Sequence, residues 1–153
     1  MADQPAPPRD GARRRADTLR LLADEVDCWV ATAGPGGSPW MIPLSFLWHD
    51  GELVLATAAS SPTGRNWAAG APVRIGLGAV RDVVLVEGTV RLVPAADVDP
   101  GVGDAFASKT GFDPRELRTP YVYAFVRPTL LQAWREENEL ADRDLVRDGT
   151  WSA

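Results

Sequence analysis

The sequence predicts a mainly β fold, a six-stranded antiparallel barrel carrying a few helices. Three observations lead there. Apolar runs of strand length recur with Gly, Pro and Asp turns between them. Only two or three segments carry a helical spacing of apolar residues. Six strands with so few helices to cover them would leave open edges unless the sheet closed on itself. With 153 residues the chain can bury one sizeable core, so a single domain is expected over residues 13–153.

The elements follow in order. Residues 1–12 hold Pro5, Pro7 and Pro8 and little that packs, and are expected to be a disordered tail. Leu19, Leu22, Ala23 and Val26 repeat at steps of three and four, predicting a helix from Arg13 to Val26 that lids the barrel. Cys28 to Ala33 reads as a strand, residues 34–37 as a turn, and Trp40 to Trp48 as a second strand. After the turn His49-Asp50-Gly51, a third strand runs from Leu53 to Thr57. Small polar residues follow, then a short helix at Trp67–Ala69. Strands resume at Val73–Leu77 and Val83–Val93, a helix is expected around Val102–Ser108, and a long strand from Tyr121 to Trp134 is broken at Pro128 by a bulge or an edge.

Composition narrows the function. The net charge of −5 argues against a nucleic-acid partner, which needs clustered Lys and Arg to neutralise many phosphates. No apolar run reaches the roughly 20 residues of a membrane span and the N-terminus lacks a secretory signal, so a cytoplasmic protein is expected. One cysteine, Cys28, and one histidine, His49, cannot build a zinc site of the usual kind, and no metal is expected. No catalytic side chain stands out either, since nothing pairs a nucleophile with a base. Fifteen arginines against the single Lys109 mean that any anion grip is made of arginine forks and backbone amides.

Two clusters bear chemistry. Ser60, Ser61, Thr63, Gly64, Arg65 and Asn66 place hydroxyls, a permissive backbone, a guanidinium and an amide between a strand and a helix start. By spacing alone that reads first as a capped turn and second as a phosphate grip. Near the C-terminus, Trp134 either packs in the core or stacks on a planar ring, and Arg143 lies among Glu136, Glu137, Glu139 and Asp142 as one member of a solvated ion cluster or as a ligand arginine.

The succession WVATAGPGGSPWMIPLSFLWHDGELVLATAASSPTGRNWAAGAPVRIGLG, DVVLVEGTVRLV and AWREENELADRDLVRDGTW resembles the flavin-binding split-barrel family typified by pyridoxamine 5′-phosphate oxidase and its deazaflavin-using relatives. The resemblance covers roughly residues 17 to 151 and implies a dimer with the cofactor at the interface. It implies that Met41, Ile42, Pro43, Leu44, Ser45 and Phe46 lie along the flavin ring, largely through backbone groups. Ala56 and Thr57, with Ser61, Thr63, Gly64, Arg65 and Asn66, would hold the phosphate, and Val83 would sit near the ring. Trp134 and Arg143 would reach the cofactor from the other subunit.

Two departures bear on the reaction. Relatives commonly have two adjacent basic residues at the phosphate, where this chain has Arg65 beside Asn66. The stretch that holds the vitamin substrate in true pyridoxamine phosphate oxidases is here Glu139-Leu140-Ala141-Asp142-Arg143, which keeps the cofactor arginine and loses both substrate residues. Glu139 is expected to repel a substrate phosphate. The expected function is therefore an FMN-dependent oxidoreductase that transfers hydride to or from a small molecule other than the B6 vitamer. The alternatives are a deazaflavin-dependent reductase and a non-catalytic flavin- or haem-binding barrel.

Overall fold

The computed structural model describes residues 4–152. Helix α1 spans Gly11–Asp24, two residues earlier at each end than its apolar spacing predicts, because Asp10 caps it by accepting from Arg13 N–H at 2.8 Å. Its inward residue Leu22 is fully buried in the barrel core. The expected disordered tail meets two facts. Arg9 is largely buried against Glu139, and Asn138 donates to the carbonyl of Ala6; residues 1–3 lie outside the described residues.

The strands are β1 (Asp27–Ala33), β2 (Pro39–His49), β3 (Glu52–Ala58), β4 (Val73–Leu77), β5 (Val83–Pro94) and β6 (Tyr121–Trp134). They hydrogen-bond in the order β3-β2-β1-β4-β5-β6, and β6 returns to β3, so the six-stranded antiparallel barrel is closed. Alternation along each strand sends Val30, Phe46, Leu53, Leu55, Ile75, Val84 and Val86 inward, all of them buried. The bulge expected at Pro128 falls one residue later. Gly88 faces Pro128 and Glu87 faces Leu130, which leaves Thr129 extra. Gly88 is required there, since a Cβ would lie 2.3 Å from the Arg127 carbonyl oxygen.

Two short strands extend the sheet beyond the expected six: β7 (Asp144–Arg147) pairs with the second half of β6, and β8 (Thr150–Trp151) with β7. They arise because β6 is longer than β3. Its first half closes the barrel against β3 and its second half is free to take another partner. Helix α2 spans Pro62–Ala68, starting five residues before the short helix predicted at Trp67. Ser61 is its N-cap and Pro62 its first residue, a start signal that the run of small polar residues hides. Trp67 points from α2 into the barrel core. Helix α3, Pro100–Thr110, is capped by Asp99, ends at Gly111 in the left-handed region (φ 72°), and lies across β2.

Candidate functional site

The barrel is split on one side. Strand β2 pairs with β1 along Pro39–Ser45, but with β3 only from Phe46↔Leu55 onward to the hairpin. Among the described residues no strand covers the other edge of Pro39–Ser45. Phe46 N–H donates to Val26 O on the β1 side at 2.8 Å. Antiparallel alternation then turns the backbone N–H and C=O of Ser45 and Met41, and the C=O of Pro43, toward the gap. A main-chain edge left unpaired in this way is a set of donors and acceptors awaiting a ligand.

A cleft of about 420 Å³ occupies the gap, lined by Pro43, Leu44, Ser45, Ala56 and Thr57 from the two parting strands, with Phe106, Phe112 and Tyr121 beside them. Its size falls in the usual range for small-molecule sites. Ser45 Oγ donates to Asp27 Oδ1 at 2.7 Å at the rim. Of the ring-side candidates, Met41 is exposed, Ile42 half-buried, and Phe46 is fully buried, its side chain in the core. Phe46 thus serves the barrel rather than the cleft.

The phosphate candidates divide. Thr57 Oγ1 and Ser61 Oγ lie 3.1 Å apart at the end of β3, and Ser61 Oγ also accepts from Gly64 N–H at 3.0 Å. Arg65 is exposed and donates to the carbonyl of Ser60. Thr63 is buried and accepts from Trp40 Nε1 at 3.1 Å. Asn66 is buried and donates to Thr32 Oγ1 at 3.0 Å, tying α2 to β1. Gly64 permits α2 to approach β3 closely, since a Cβ would lie 2.5 Å from Ala58 O. Thr63, Gly64 and Asn66 therefore build the helix's seat, which leaves Thr57, Ser61 and Arg65 with groups that can turn to an anion. Arg65 and Asn66 also line a second hollow of about 440 Å³ with Trp40 and Pro62.

Trp134 ends β6 opposite Val83, and the guanidinium of Arg143 lies 5.5 Å over its ring. Arg143 lines a broad hollow of about 800 Å³ with Gln132, Leu140, Asp142 and Arg147, which shares no lining residue with the β2–β3 cleft. The expected solvated cluster around Arg143 is not what forms. Glu139 is only 3% exposed. Its Oε1 accepts from Arg9 N and Nε, each at 2.9 Å, and its Oε2 from Arg9 Nη2 at 2.7 Å and Arg135 N at 2.9 Å. Those bonds, Arg9's above all, hold its pKa down at about 2. The expected repulsion of a substrate phosphate is corrected accordingly: this carboxylate faces inward and is already paired. Nothing in the tail's composition signalled Arg9 as its partner, 130 residues away in sequence.

The other reactive side chains are out of the way. Cys28 is buried with Sγ against Leu44 O, and burial pushes its thiol up to about 12. His49 is exposed at the β2–β3 hairpin. No group of three or more His, Cys, Asp or Glu among the described residues is placed to hold a metal ion, and no helix there is long and apolar enough to cross a membrane.

A closed six-stranded barrel that parts between β2 and β3 over a ligand-sized cleft defines a split-barrel protein. Residues 17–127 match the pyridoxamine 5′-phosphate oxidase family, and the chain belongs to it. Solved structures similar to this chain include an F420 reductase (21% identity, TM-score 0.60, covering 73% of this chain and 93% of that one). General stress protein 26 from Bacillus anthracis is also similar (18%, 0.63, 80% and 95%), as is a heme binding protein from Mycobacterium smegmatis (17%, 0.61, 84% and 56%). At these identities the likeness is one of fold. Curated protein sequences give no match.

Proposed function

We propose that this protein is an FMN-dependent oxidoreductase that binds the flavin in the β2–β3 split and exchanges hydride with a small molecule. The observation that carries the reading is the unpaired β2 edge from Met41 to Ser45, of which Pro43 and Ser45 line the cleft. When bound, the flavin ring supplies the redox chemistry. The chain's own groups bind and orient. Ser45 and Met41 offer backbone N–H donors to the polar edge of a ring, and Pro43 offers a carbonyl only. Thr57, Ser61 and Arg65 are the residues that would hold the flavin's phosphate, the two hydroxyls as hydrogen-bond donors and the guanidinium as the charge.

The site is completed by a second copy. Family members are typically dimeric, and in one protomer Arg143, with Trp134 beneath its guanidinium, lines a hollow separate from the split. The outer face of the barrel offers a surface for such pairing. Trp29 on β1 is 53% exposed, and Met41 on β2 is 61% exposed. Trp29 stands in cross-strand register with Pro43 on one side and Gly76 on the other. Large apolar side chains grouped on one sheet face mark an interface.

Oxidation of the B6 vitamer is not part of this proposal, since neither Glu139, turned inward, nor Ala141 offers a donor to that substrate. A deazaflavin coenzyme is the second reading, supported by the similarity in fold to an F420 reductase. Haem finds less support, because His49 lies exposed on a hairpin. The absorbance of the purified protein separates these: a band near about 450 nm marks oxidised FMN and one near about 420 nm a deazaflavin, as the ring electronics dictate. A preparation that neither retains a chromophore nor binds added FMN refutes the proposal.

A further inference from the structure

The loop from Arg135 to Asp142 joins Trp134 to Arg143, and it carries Glu136, Glu137, Glu139 and Asp142. Like charges so close repel, and Asp142 sits in the left-handed region at φ 55°. Left to itself such a loop has many conformations. It is instead held from beneath by two arginines of the N-terminal segment.

The first tie is Arg9 on the Glu139 carboxylate, with three hydrogen bonds of 2.7–2.9 Å. Glu139 also takes Arg135 N–H, so one carboxylate closes the loop onto its own first residue. The second tie is Arg14, whose side chain belongs to a residue only 4% exposed. Its Nη1 reaches the carbonyls of Glu139 (3.2 Å), Ala141 (3.3 Å) and Asp142 (2.9 Å), and its Nη2 the carbonyl of Arg9 (3.3 Å). A planar fork spans several carbonyls where an ammonium would serve as a single point. Arg14 Nε has no partner, so the buried guanidinium depends on these carbonyls, and movement of the loop is penalised because each lost bond leaves a further charged donor unsatisfied. Directly beyond the loop, Ala133 N–H donates to Arg143 O at 3.0 Å and Gln132 Nε2 to Asp144 Oδ1 at 2.7 Å.

We infer that Arg9 and Arg14 are positioning residues for the cofactor site, clamping the loop that sets Arg143 over Trp134. The consequence for the cofactor rests on the proposed flavin reading; the clamp itself does not. The test uses the full chain with Arg14→Met, Arg14→Lys, Arg143→Ala and the double variant R14M/R143A. Amide hydrogen exchange reports on the free protein, and titration with FMN gives the affinity.

Arg14→Met is expected to speed exchange over residues 139–147 while the β1–β4 amides stay as they are, and to weaken FMN binding about tenfold, the size of coupling seen between contacting groups. Arg14→Lys should recover part of both losses. In the Arg143→Ala background Arg14→Met should weaken binding no further. Unchanged exchange over 139–147 overturns the clamp, and equal weakening in both backgrounds overturns the positioning role. If Arg143→Ala itself leaves FMN affinity unchanged, Arg143 is no part of the cofactor site and the positioning role is overturned, while exchange alone decides the clamp; failure of the flavin reading is a separate result, in which the unsubstituted protein binds no FMN. Should Arg14→Met not fold, Arg9→Met is read by the same measures.

Discussion

Replacing Glu139 by Gln keeps the shape of the side chain and removes its charge, and the structure sets the size of the effect. The carboxylate is buried and accepts four hydrogen bonds, three of them from Arg9. Its pKa falls from an ordinary 4.5 to about 2, with the Arg9 bonds as the largest cause. At 1.36 kcal/mol per unit this corresponds to roughly 3 kcal/mol of stability at neutral pH. An independent estimate agrees: breaking one partner of a buried ion pair costs about 3–5 kcal/mol. The sign follows from the depressed value. The contribution is fully present above the unfolded pKa near 4.5 and is lost as pH falls toward 2. Denaturant unfolding at pH 7 should therefore show Glu139→Gln less stable by about 2–4 kcal/mol, with the two proteins converging as pH drops from about 5 to 2. A loss under about 1 kcal/mol at pH 7, or a constant gap across that pH range, would show that the Arg9–Glu139 pair does not stabilise the fold.

Other outcomes are open to direct measurement. Gly64→Ala should lower stability by about 2 kcal/mol or more despite alanine's better helix propensity of roughly 1 kcal/mol, because the new Cβ meets the backbone oxygens of Ala58 and Ala59; a rise in melting temperature would contradict the close approach of α2 to β3. Arg65→Ala should weaken FMN binding by about 1.5–3 kcal/mol, the range for a charged hydrogen bond, and an unchanged titration curve would remove Arg65 from the phosphate site. On the proposed dimer, Trp29→Asp should shift sedimentation from dimer to monomer; a persistent dimer would place the interface elsewhere, and a monomeric unsubstituted protein would refute the dimer. Cys28, with its thiol raised to about 12 by burial, should resist alkylation at pH 8 until the chain is unfolded; fast labelling of the native protein would show that β1 opens.

Much of the barrel was legible from local pattern. The spans Val73–Leu77 and Tyr121–Trp134 stand where alternation puts them, and the other four strands agree within one residue at each end, because period-two burial and Gly or Asp turns are recorded in neighbouring residues. The site was legible more unevenly. The sequence brought Ser60 to Asn66 together as one cluster, yet the fold gives Thr63 to Trp40 and Asn66 to Thr32, partners that no spacing within the cluster contains. The start of α2 was missed because Ser61-Pro62 reads equally as a turn and as a cap.

Local sequence pattern carried the mainly β class, the strand order along the chain, the absence of a Cys/His metal pattern, and a family resemblance spread over many weak motifs. The tertiary structure decided where the barrel opens, since only pairing shows that β2 leaves β3 at Ser45 and exposes a main-chain edge. It also decided the role of Glu139. One acid among several in an acidic stretch looks solvated, but folding brings Arg9 from 130 residues away and removes water from both. Burial and long-range partners depend on the closed three-dimensional path of the chain, and no window of neighbouring residues contains them.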